Sequence, residues 1–320
     1  MTTLPGWPGD ESPFHPGEQL IQAREGMRDR VERAGRKVIR AAMPDQHREL
    51  FGRLPYLVIG GVDAARRPWA TLLAGPPGFV TTPDDRTLAI AAAPVDGDPL
   101  AAALVPGAPI AVLGIELATR RRNRANGTVA ARAAGGLTIA VAQSFGNCPQ
   151  YIQARAPLAP PGEPAPARPE GARLSAAAIA LVRGADTCFI ASAGPAAGGG
   201  DPREGADVSH RGGRPGFLAV ADDGDATVLT LPDYTGNYLF NTLGNLIRHP
   251  YAGLLLVDFE RGDLLSLTTT TTIVWDGPEV AAVAGAHRLV RLRVERGVWL
   301  PGRAPSRWTA PAYAPQLDGR

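Results

Sequence analysis

The sequence predicts a mainly β protein with a few helices, built as two similar halves. Glycine and proline are abundant among the 320 residues, with 38 and 31 copies, and this favours a chain rich in turns. The triplet Pro-Gly-Phe begins at Pro77 and again at Pro215, 138 residues later, and Asp84-Asp85 recurs as Asp222-Asp223 at the same spacing. Two tandem copies of one unit, rather than a solenoid of many repeats, account for this spacing.

Composition excludes several classes of function. The formal net charge is +2, so no broad field recruits nucleic acid or an anionic membrane. Cys148 and Cys188 are the two cysteines, too few for a disulfide framework or a metal quartet. No signal-peptide pattern opens the chain, and no apolar run reaches the roughly 18 residues of a membrane span. We therefore expect a cytoplasmic protein without nucleic-acid or membrane partners.

The first predicted unit is an N-terminal extension over residues 1–44. Residues 1–16 are rich in Pro and Gly and are expected to be poorly ordered unless docked. Apolar residues over 18–42 are spaced for a thin helical stripe. Asp45 is then the expected N-cap of a short helix over 46–51.

Strands and turns alternate over residues 45–155, the first predicted domain, which is a diverged copy of the second. Strands are expected over residues 56–60, 68–74, 79–82, 87–92 and 110–117, with another from 128. A hairpin meander is the simplest arrangement for strands this closely spaced. Residues 98–104 also fit a short helix.

A Pro/Ala linker over residues 156–173 separates the halves and is expected to be stiff and extended. The second predicted domain, 174–300, repeats the plan, and residues 301–320 form a C-terminal tail. Its predicted elements are a helix over 175–182 and strands over 188–192, 227–231 and 254–259. The last strand matches residues 112–117 at an offset of 142, so the duplication covers most of both halves.

Residues 207–217 of the second half have the composition of an anion-binding segment. Ser209 supplies a hydroxyl and Arg211 a planar cation with five donors. Gly212 and Gly213 allow backbone N–H groups to approach a ligand closely. The segment therefore predicts a phosphate site.

Three asparagines follow at a helical spacing. Asn237, Asn241 and Asn245 are predicted to share one face of a helix that Pro250 ends. Because Asn is a poor helix former, the row favours contact with a polar ring or a ribityl chain. A solvated polar face is the alternative.

The first half lacks both features. At the offset of 138 residues, Leu73 stands where the second half has Arg211. At the offset of 142, the positions of the three asparagines hold Val95, Pro99 and Ala103. Since the cation and the amides are absent from the same half, one site per chain is favoured.

Three motifs in this order resemble the pyridoxamine 5′-phosphate oxidase-like flavoproteins: Ser-x-Arg-Gly-Gly-x-Pro-Gly-Phe, Pro-Asp-x-x-Gly-Asn and Asn-Leu-x-x-x-Pro, within residues 207–253. Residues 143–151 are similar to a signature of the longer, two-barrel members, and the resemblance covers about residues 45–295. It implies tandem FMN-binding split β-barrels forming a pseudo-dimer. One FMN site would lie in the second half, completed by the first.

The resemblance also implies individual roles. The phosphate would be held by Ser209, His210, Arg211 and Gly212, and the ribityl chain and ring edge by Asn237, Asn241 and Asn245. One departure concerns residues 268–272, which are all threonine where the family usually has a glycine in Leu-x-Gly-x-Ala. Threonine is a good strand residue, so the fold is expected to survive, but a close backbone approach there is in question.

Other constellations were weighed in the same way. Arg120, Arg122 and Arg124 alternate onto one face of an extended segment, which is either a solvated edge or, for Arg122 and Arg124, a reach across the pseudo-dimer to the cofactor. Cys148 is either a structural thiol or a reactive one. No Gly-x-Ser-x-Gly accompanies Ser144, which disfavours a hydrolase, and the histidines lack metal-ligand spacing.

The expected function is that of an FMN-dependent oxidoreductase acting on a small molecule, with no catalytic base identified. NAD(P)H or a partner reductase is the expected electron donor, and a homo-oligomer is allowed. The alternatives are a non-catalytic flavin carrier, sensor or partner subunit, and a split barrel that holds haem instead.

Overall fold

The computed structural model describes residues 6–318 and shows two β-domains of one topology behind a helical extension. The expectation of poor order for residues 1–16 falls partly outside the described residues, which exclude 1–5. The remainder is docked, because the Trp7 backbone N–H donates to the Arg36 carbonyl (2.8 Å) and the Phe14 side chain is fully buried. Residues 319–320 of the tail also lie outside the described residues.

The extension contains two helices rather than one continuous stripe. These are α1 (Pro16–Arg24) and α2 (Arg28–Val38), and the chain turns between them at Gly26, whose φ is +66°. Helix α3 (Asp45–Arg53) follows. The predicted N-cap was wrong by one residue, since Pro44 occupies the cap position and Asp45 is the first helical residue.

Seven antiparallel strands form the first domain. They are β1 (Tyr56–Val62), β2 (Pro68–Ala74), β3 (Val80–Thr81), β4 (Thr87–Ile90), β5 (Pro109–Glu116), β6 (Arg121–Ala133) and β7 (Gly136–Gly146). Their order in the sheet is β2-β1-β5-β6-β7-β4-β3. Residues 98–104 form turns and not the expected helix.

The second domain repeats this plan after two short linker strands. The linker holds β8 (Pro157–Ala159) and β9 (Arg168–Glu170), and the domain holds α4 (Ala176–Gly184), β10 (Thr187–Ala193), β11 (Ala206–Gly212), β12 (Ala219–Asp223), β13 (Ala226–Tyr234), α5 (Asn241–Leu246), β14 (Tyr251–Asp258), β15 (Asp263–Val274), α6 (Pro278–Ala281) and β16 (Ala286–Leu300). The sheet order β11-β10-β14-β15-β16-β13-β12 is that of the first domain.

Strand register confirms the duplication and its two offsets. Strands β1 and β2 pair as β10 and β11 do, and β1 pairs with β5 as β10 pairs with β14. The equivalent cross-strand pairs are Tyr56–Ala74 with Thr187–Gly212, and Ile59–Val112 with Ile190–Leu254. Ala74 and Gly212 are 138 residues apart, and Val112 and Leu254 are 142 apart.

The two halves share a hydrophobic core in addition to their own cores. Val58 and Leu113 of the first half are buried in one cluster with Phe189 and Leu255 of the second. Because side chains alternate along a strand, one face of each sheet fills its own barrel while the other face packs on the partner half. The fold is therefore the tandem split-barrel pseudo-dimer with an N-terminal helical extension, as predicted.

The linker and the tail lie on the surface of this pseudo-dimer. Strand β9 pairs with β16, and β8 pairs with β17 (Arg307–Trp308) of the tail. Side chains of the linker are mostly exposed, but Trp308 is buried in the shared core against Tyr56, with ring centroids 6.1 Å apart. The tail thus binds both halves.

The threonine run at residues 268–272 is accommodated within β15. Thr269 is fully buried, and its hydroxyl donates to the Ala252 carbonyl (3.0 Å). Gly127 occupies the equivalent place in the first half, where a Cβ would lie 1.9 Å from the Ala140 carbonyl oxygen. The close backbone approach therefore belongs to β6, the first-half strand that carries Arg122 and Arg124.

Candidate functional site

A cleft lies between the two halves and holds about 990 Å³ of space, part of it open to solvent. The first half contributes β6 and residues 147–151. The second half contributes β11, α5 and the residues where β13 ends and β16 begins. The lining combines four arginines, two hydroxyl side chains and four aromatic rings, a composition suited to an anion attached to a planar group.

Strand β11 presents the predicted phosphate residues on one face. Ser209 and Arg211 are two residues apart, so they point toward the same side, where α5 lies. Arg211 Nη2 donates to Thr242 Oγ1 (3.1 Å), and the Thr242 hydroxyl donates to Ser209 Oγ (3.2 Å). Sequence reasoning missed Thr242, which is hidden among the asparagines of α5.

Arg124 reaches this group from the first half. Its Nη2 donates to Ser209 Oγ (2.8 Å), its Nη1 donates to Asn241 Oδ1 (3.1 Å), and it forms an ion pair with Asp207. The side chain is buried at 3% exposure, and burial lowers the pKa of Arg124 while Asp207 acts in the opposite direction. A residue of the diverged copy thus completes the cleft, as the reach across the pseudo-dimer requires.

Arg122 lies beside Arg124 and is half-buried. Its Nε donates to the backbone carbonyl of Cys148 (2.8 Å), whose free thiol side chain also lines the cleft. Burial, and then repulsion from Arg124 and Arg211, lower the pKa of Arg122 to about 9. The cost of keeping this guanidinium charged indicates a place built for a negative group.

Cationic charge exceeds anionic charge in the cleft. Arg288 is balanced by Glu25 (3.1 Å) and Asp233 (3.4 Å). Within residues 6–318, Arg122 and Arg211 form no ion pair with a carboxylate. These two arginines leave a positive charge facing the cleft that an anionic ligand would neutralise.

His210 lies on the opposite face of β11 from Ser209 and Arg211. The ring is 3% exposed and packs edge-to-face on Phe189, and neither ring nitrogen has a hydrogen-bond partner. Burial, followed by repulsion from Arg122 and Arg211, lowers the pKa of His210, so the imidazole is neutral. A buried imidazole without partners is costly, and a ligand atom would satisfy it.

The glycine pair has a packing role. A Cβ on Gly212 would lie 2.1 Å from the Tyr151 carbonyl oxygen, and a Cβ on Gly213 would lie 2.4 Å from Phe217 Cβ. Gly212 therefore allows the end of the first half to pack on β11. The close approach that glycine permits here is by the protein's own backbone rather than by an open loop.

The three asparagines do not form one row. Helix α5 begins only at Asn241, because Tyr238 (φ +59°) and Phe240 (φ +62°) adopt left-handed conformations that interrupt the helix. Asn237 lies in the loop before the helix, where its Oδ1 accepts from the Leu239 N–H (3.2 Å). The prediction of one helical face is therefore wrong for Asn237, although Asn237 and Asn241 both line the cleft.

Asn245 points away from the cleft. It is buried, and its Nδ2 donates to Ser192 Oγ (3.1 Å). It lines a smaller chamber on the far side of Asn241 and Asp207, closed by helix α1. The amide row is thus divided between two compartments.

Aromatic side chains form a rim around the cleft. Tyr151 of the first half stacks on Tyr234 of the second, with ring centroids 5.4 Å apart and an interplanar angle of 29°. Tyr238 and Phe240 complete the rim. Three of the four, Tyr151 included, have positive φ, which is strained for aromatic residues and concentrates at functional sites. Sequence reasoning did not group these residues.

The place related to the cleft by the duplication is filled. The equivalents of Ser209, Arg211 and Arg124 are Thr71, Leu73 and Ser266. Thr71 donates to buried Asp98, Leu73 is in the hydrophobic core, and Ser266 donates to the Ala70 carbonyl (2.8 Å). One cleft per chain follows from these substitutions.

The smaller chamber contains an unusual carboxylic acid. Glu18 of α1 is 4% exposed and accepts hydrogen bonds from Asn241 Nδ2 and the His15 N–H. Burial is the main cause that raises the pKa of Glu18 to about 8, against the opposing effect of these hydrogen bonds. Glu18 is therefore a neutral acid at pH 7.

Replacing Glu18 by Gln is expected to change how stability depends on pH. The pKa is about 8 in the folded state and near 4.5 otherwise, so the contribution of Glu18 is fully present below pH 4.5 and is lost as the pH rises to about 8. The unfolding free energy of Glu18→Gln minus that of the wild type should thus grow by roughly 3–5 kcal/mol over this range.

Urea unfolding at a series of pH values measures this difference. Glu32→Gln, in the same extension, is the matched control, because the pKa of Glu32 is lowered through hydrogen bonds from Ser12 and Arg28 that outweigh its burial. Its difference from the wild type should be constant above pH 5. A constant difference for Glu18→Gln as well would show that Glu18 is ionised throughout.

Neither a protein-family model nor a curated protein sequence matches the chain. Solved structures that it resembles include a Lactobacillus delbrueckii protein named as a candidate pyridoxamine 5′-phosphate oxidase (15% identity, TM-score 0.30, 40% of this chain and 93% of that one). Others are the haem storage protein HutZ of Vibrio cholerae (13%, 0.27, 41% and 97%) and a haem-binding protein of Mycobacterium smegmatis (19%, 0.25, 43% and 59%). Because all TM-scores are below 0.5, the functional argument rests on the cleft.

Two further searches cover residues 6–318. No helix in this range is long and apolar enough to cross a membrane. No group of three or more His, Cys, Asp or Glu side chains in it is arranged to hold a metal ion. Ser144 does contact His47 (2.8 Å between Oγ and Nδ1), but it is fully buried and so is inaccessible as a nucleophile.

Proposed function

We propose that the cleft binds FMN and that the chain is an FMN-dependent oxidoreductase acting on a small molecule. The observation that supports this most strongly is the pair of arginines without carboxylate partners, Arg122 and Arg211, beside the hydroxyls of Ser209 and Thr242. A phosphate group is a dianion with several acceptor oxygens, so it would balance the charge and accept from all four side chains.

The remaining lining suits the rest of the molecule. Asn237 and Asn241 offer amide donors and acceptors to a ribityl chain, and Tyr151 and Tyr238 offer aromatic faces to a planar ring. When bound, the flavin supplies hydride or single-electron transfer at its ring. The protein's residues bind and orient it, and NAD(P)H or a partner reductase is the proposed electron donor.

Haem binding is the second candidate, and two histidines in the cleft favour it. His287 is exposed at the rim, with its Nε2 2.7 Å from Thr235 Oγ1, and the imidazole of His210 is buried and neutral. A neutral imidazole nitrogen is a common axial ligand of haem iron, and the arginines would pair with the propionates. A flavin carrier without catalysis would use the same cleft as the enzyme.

The absorption spectrum and the stoichiometry of the reconstituted protein test these proposals together. Titration with FMN should end at one flavin per chain, with an absorbance band near 450 nm and quenched flavin fluorescence. Bleaching by NADH or NADPH and recovery in air would support an oxidoreductase over a carrier. Binding of haem with a Soret band, together with no binding of FMN, would overturn the flavin proposal. Two flavins per chain would contradict the single cleft.

A further inference from the structure

The N-terminal extension builds the wall of the chamber on the far side of the cleft. Helices α1 and α5 cross without side chains between them, because a Cβ on Gly17 would lie 2.2 Å from the Gly244 carbonyl oxygen. A Cβ on Gly244 would in turn lie 2.6 Å from the Glu18 side chain. This contact fixes Glu18 against the N-terminal turn of α5.

A continuous chain of hydrogen bonds connects Glu18 to the cleft. Asn241 donates to Glu18 through its Nδ2 and accepts from Arg124 Nη1 through its Oδ1 (3.1 Å). Arg124 then donates to Ser209 Oγ (2.8 Å), which faces the cleft. Charge that enters the cleft beside Arg124 is therefore two hydrogen-bonded residues away from the Glu18 carboxyl.

The chamber also has the polarity to carry protons. His15 Nε2, Asn126 Oδ1 and Asn245 Oδ1 are buried there without hydrogen-bond partners. Together with the Glu18 carboxyl they provide enough partners for an ordered water molecule. Arg203 and Pro13 lie at the edge of the chamber, on the side toward solvent.

We propose that Glu18 is the proton-exchanging residue of the cleft, so that binding of an anion beside Arg124 is coupled to uptake of a proton by the Glu18 carboxylate. The proton comes from solvent or buffer acid through the chamber, and the carboxylate becomes a carboxylic acid. The inference rests on the proposed function only to the extent that the cleft binds an anion, and it requires no flavin.

The charges that face Glu18 set the direction of the effect. Arg124 favours its ionised form, Asp207 opposes it, and His15 is neutral because burial lowers the pKa of this histidine to about 4. Beyond His15 lies the ion pair of Glu204 and Arg248. An anion that engages Arg124 removes the favourable term, so the Glu18 pKa rises above about 8 and a proton is taken up.

Sulfate is the suitable probe because it does not titrate between pH 6 and 9. Calorimetric titration should show a wild-type sulfate affinity that is constant from pH 6 to 7 and about three- to fourfold lower at pH 8.5. Glu18→Gln keeps the amide contact and mimics the neutral acid, so its affinity should change by less than about twofold. Arg122, whose pKa is about 9, contributes equally to both proteins.

Proton uptake gives a second measurement on the same samples. Adding sulfate at pH 8 in weak buffer should take up about half a proton per wild-type chain and none in Glu18→Gln. A flat wild-type profile, a parallel fall in Glu18→Gln, or no saturable sulfate binding at all would each overturn the inference. Sulfate linkage in a protein that does not bind FMN would leave the inference standing and reject the flavin proposal alone.

Discussion

Replacing Arg211 with alanine is expected to weaken FMN binding by about ten- to a hundredfold. A charge-assisted contact of a guanidinium with phosphate contributes about 1.5–3 kcal/mol, and each 1.4 kcal/mol is tenfold in affinity. Arg211 is half-buried, and its contacts in the protein are the His210 carbonyl and the Thr242 hydroxyl. Its removal therefore breaks no ion pair, unlike removal of Arg124, which would leave Asp207 buried and unpaired.

Fluorescence titration with FMN measures the loss. Arg214→Ala is the matched control, because Arg214 belongs to the same segment but is exposed and packs on Tyr313 of the tail, 4.3 Å from its ring centroid. This control should bind FMN with wild-type affinity. Arg211→Lys should be intermediate, since lysine keeps the charge without the planar fork. Equal affinities for Arg211→Ala and wild type would show that the phosphate lies elsewhere.

The duplication was predictable from sequence because strand pairing preserves spacing. Once Tyr56 must face Ala74 and Thr187 must face Gly212, an insertion inside either hairpin would shift every side chain to the other face. The Pro-Gly-Phe and Asp-Asp markers sit at such hairpin ends and so kept their distance. The helical phase of Asn237 was lost because backbone conformations at Tyr238 and Phe240 are set by packing, not by local propensity.

The remaining parts of the site arise from contacts that are distant in sequence. Tyr151 and Tyr234 meet only because the two halves pack together, and no local pattern links them. The hydrogen bond from Asn241 to Glu18 joins residues 223 positions apart. Glu18 looked like a surface charge on an amphipathic stripe, and its burial depends on the crossing of α1 and α5. By contrast, the alternation of Arg122 and Arg124 along β6 was visible, because period two follows from the strand itself.

Cleavage of the linker is expected to leave the two halves associated and the flavin bound. Residues 160–166 are exposed apart from Pro161, which is half-buried, so a protease site can be introduced there without entering either core. The fragments would still share the core around Val58 and Phe189, and helix α1 of the first fragment would still pack on α5 of the second. Burial of this apolar surface, rather than the tether, should hold them together.

Gel filtration of the cut protein tests this architecture, with absorbance at 280 and about 450 nm recorded together. One yellow peak at the size of the intact chain is expected, because Arg124 of the first fragment contacts Ser209 and Asn241 of the second. Val58→Asp places a carboxylate in the shared core, so the same cut in this variant should separate the fragments and release the flavin. Wild-type fragments that separate, with colour following only the second, would mean that the second half holds the cofactor alone. Arg124 would then stabilise the fold and not the ligand.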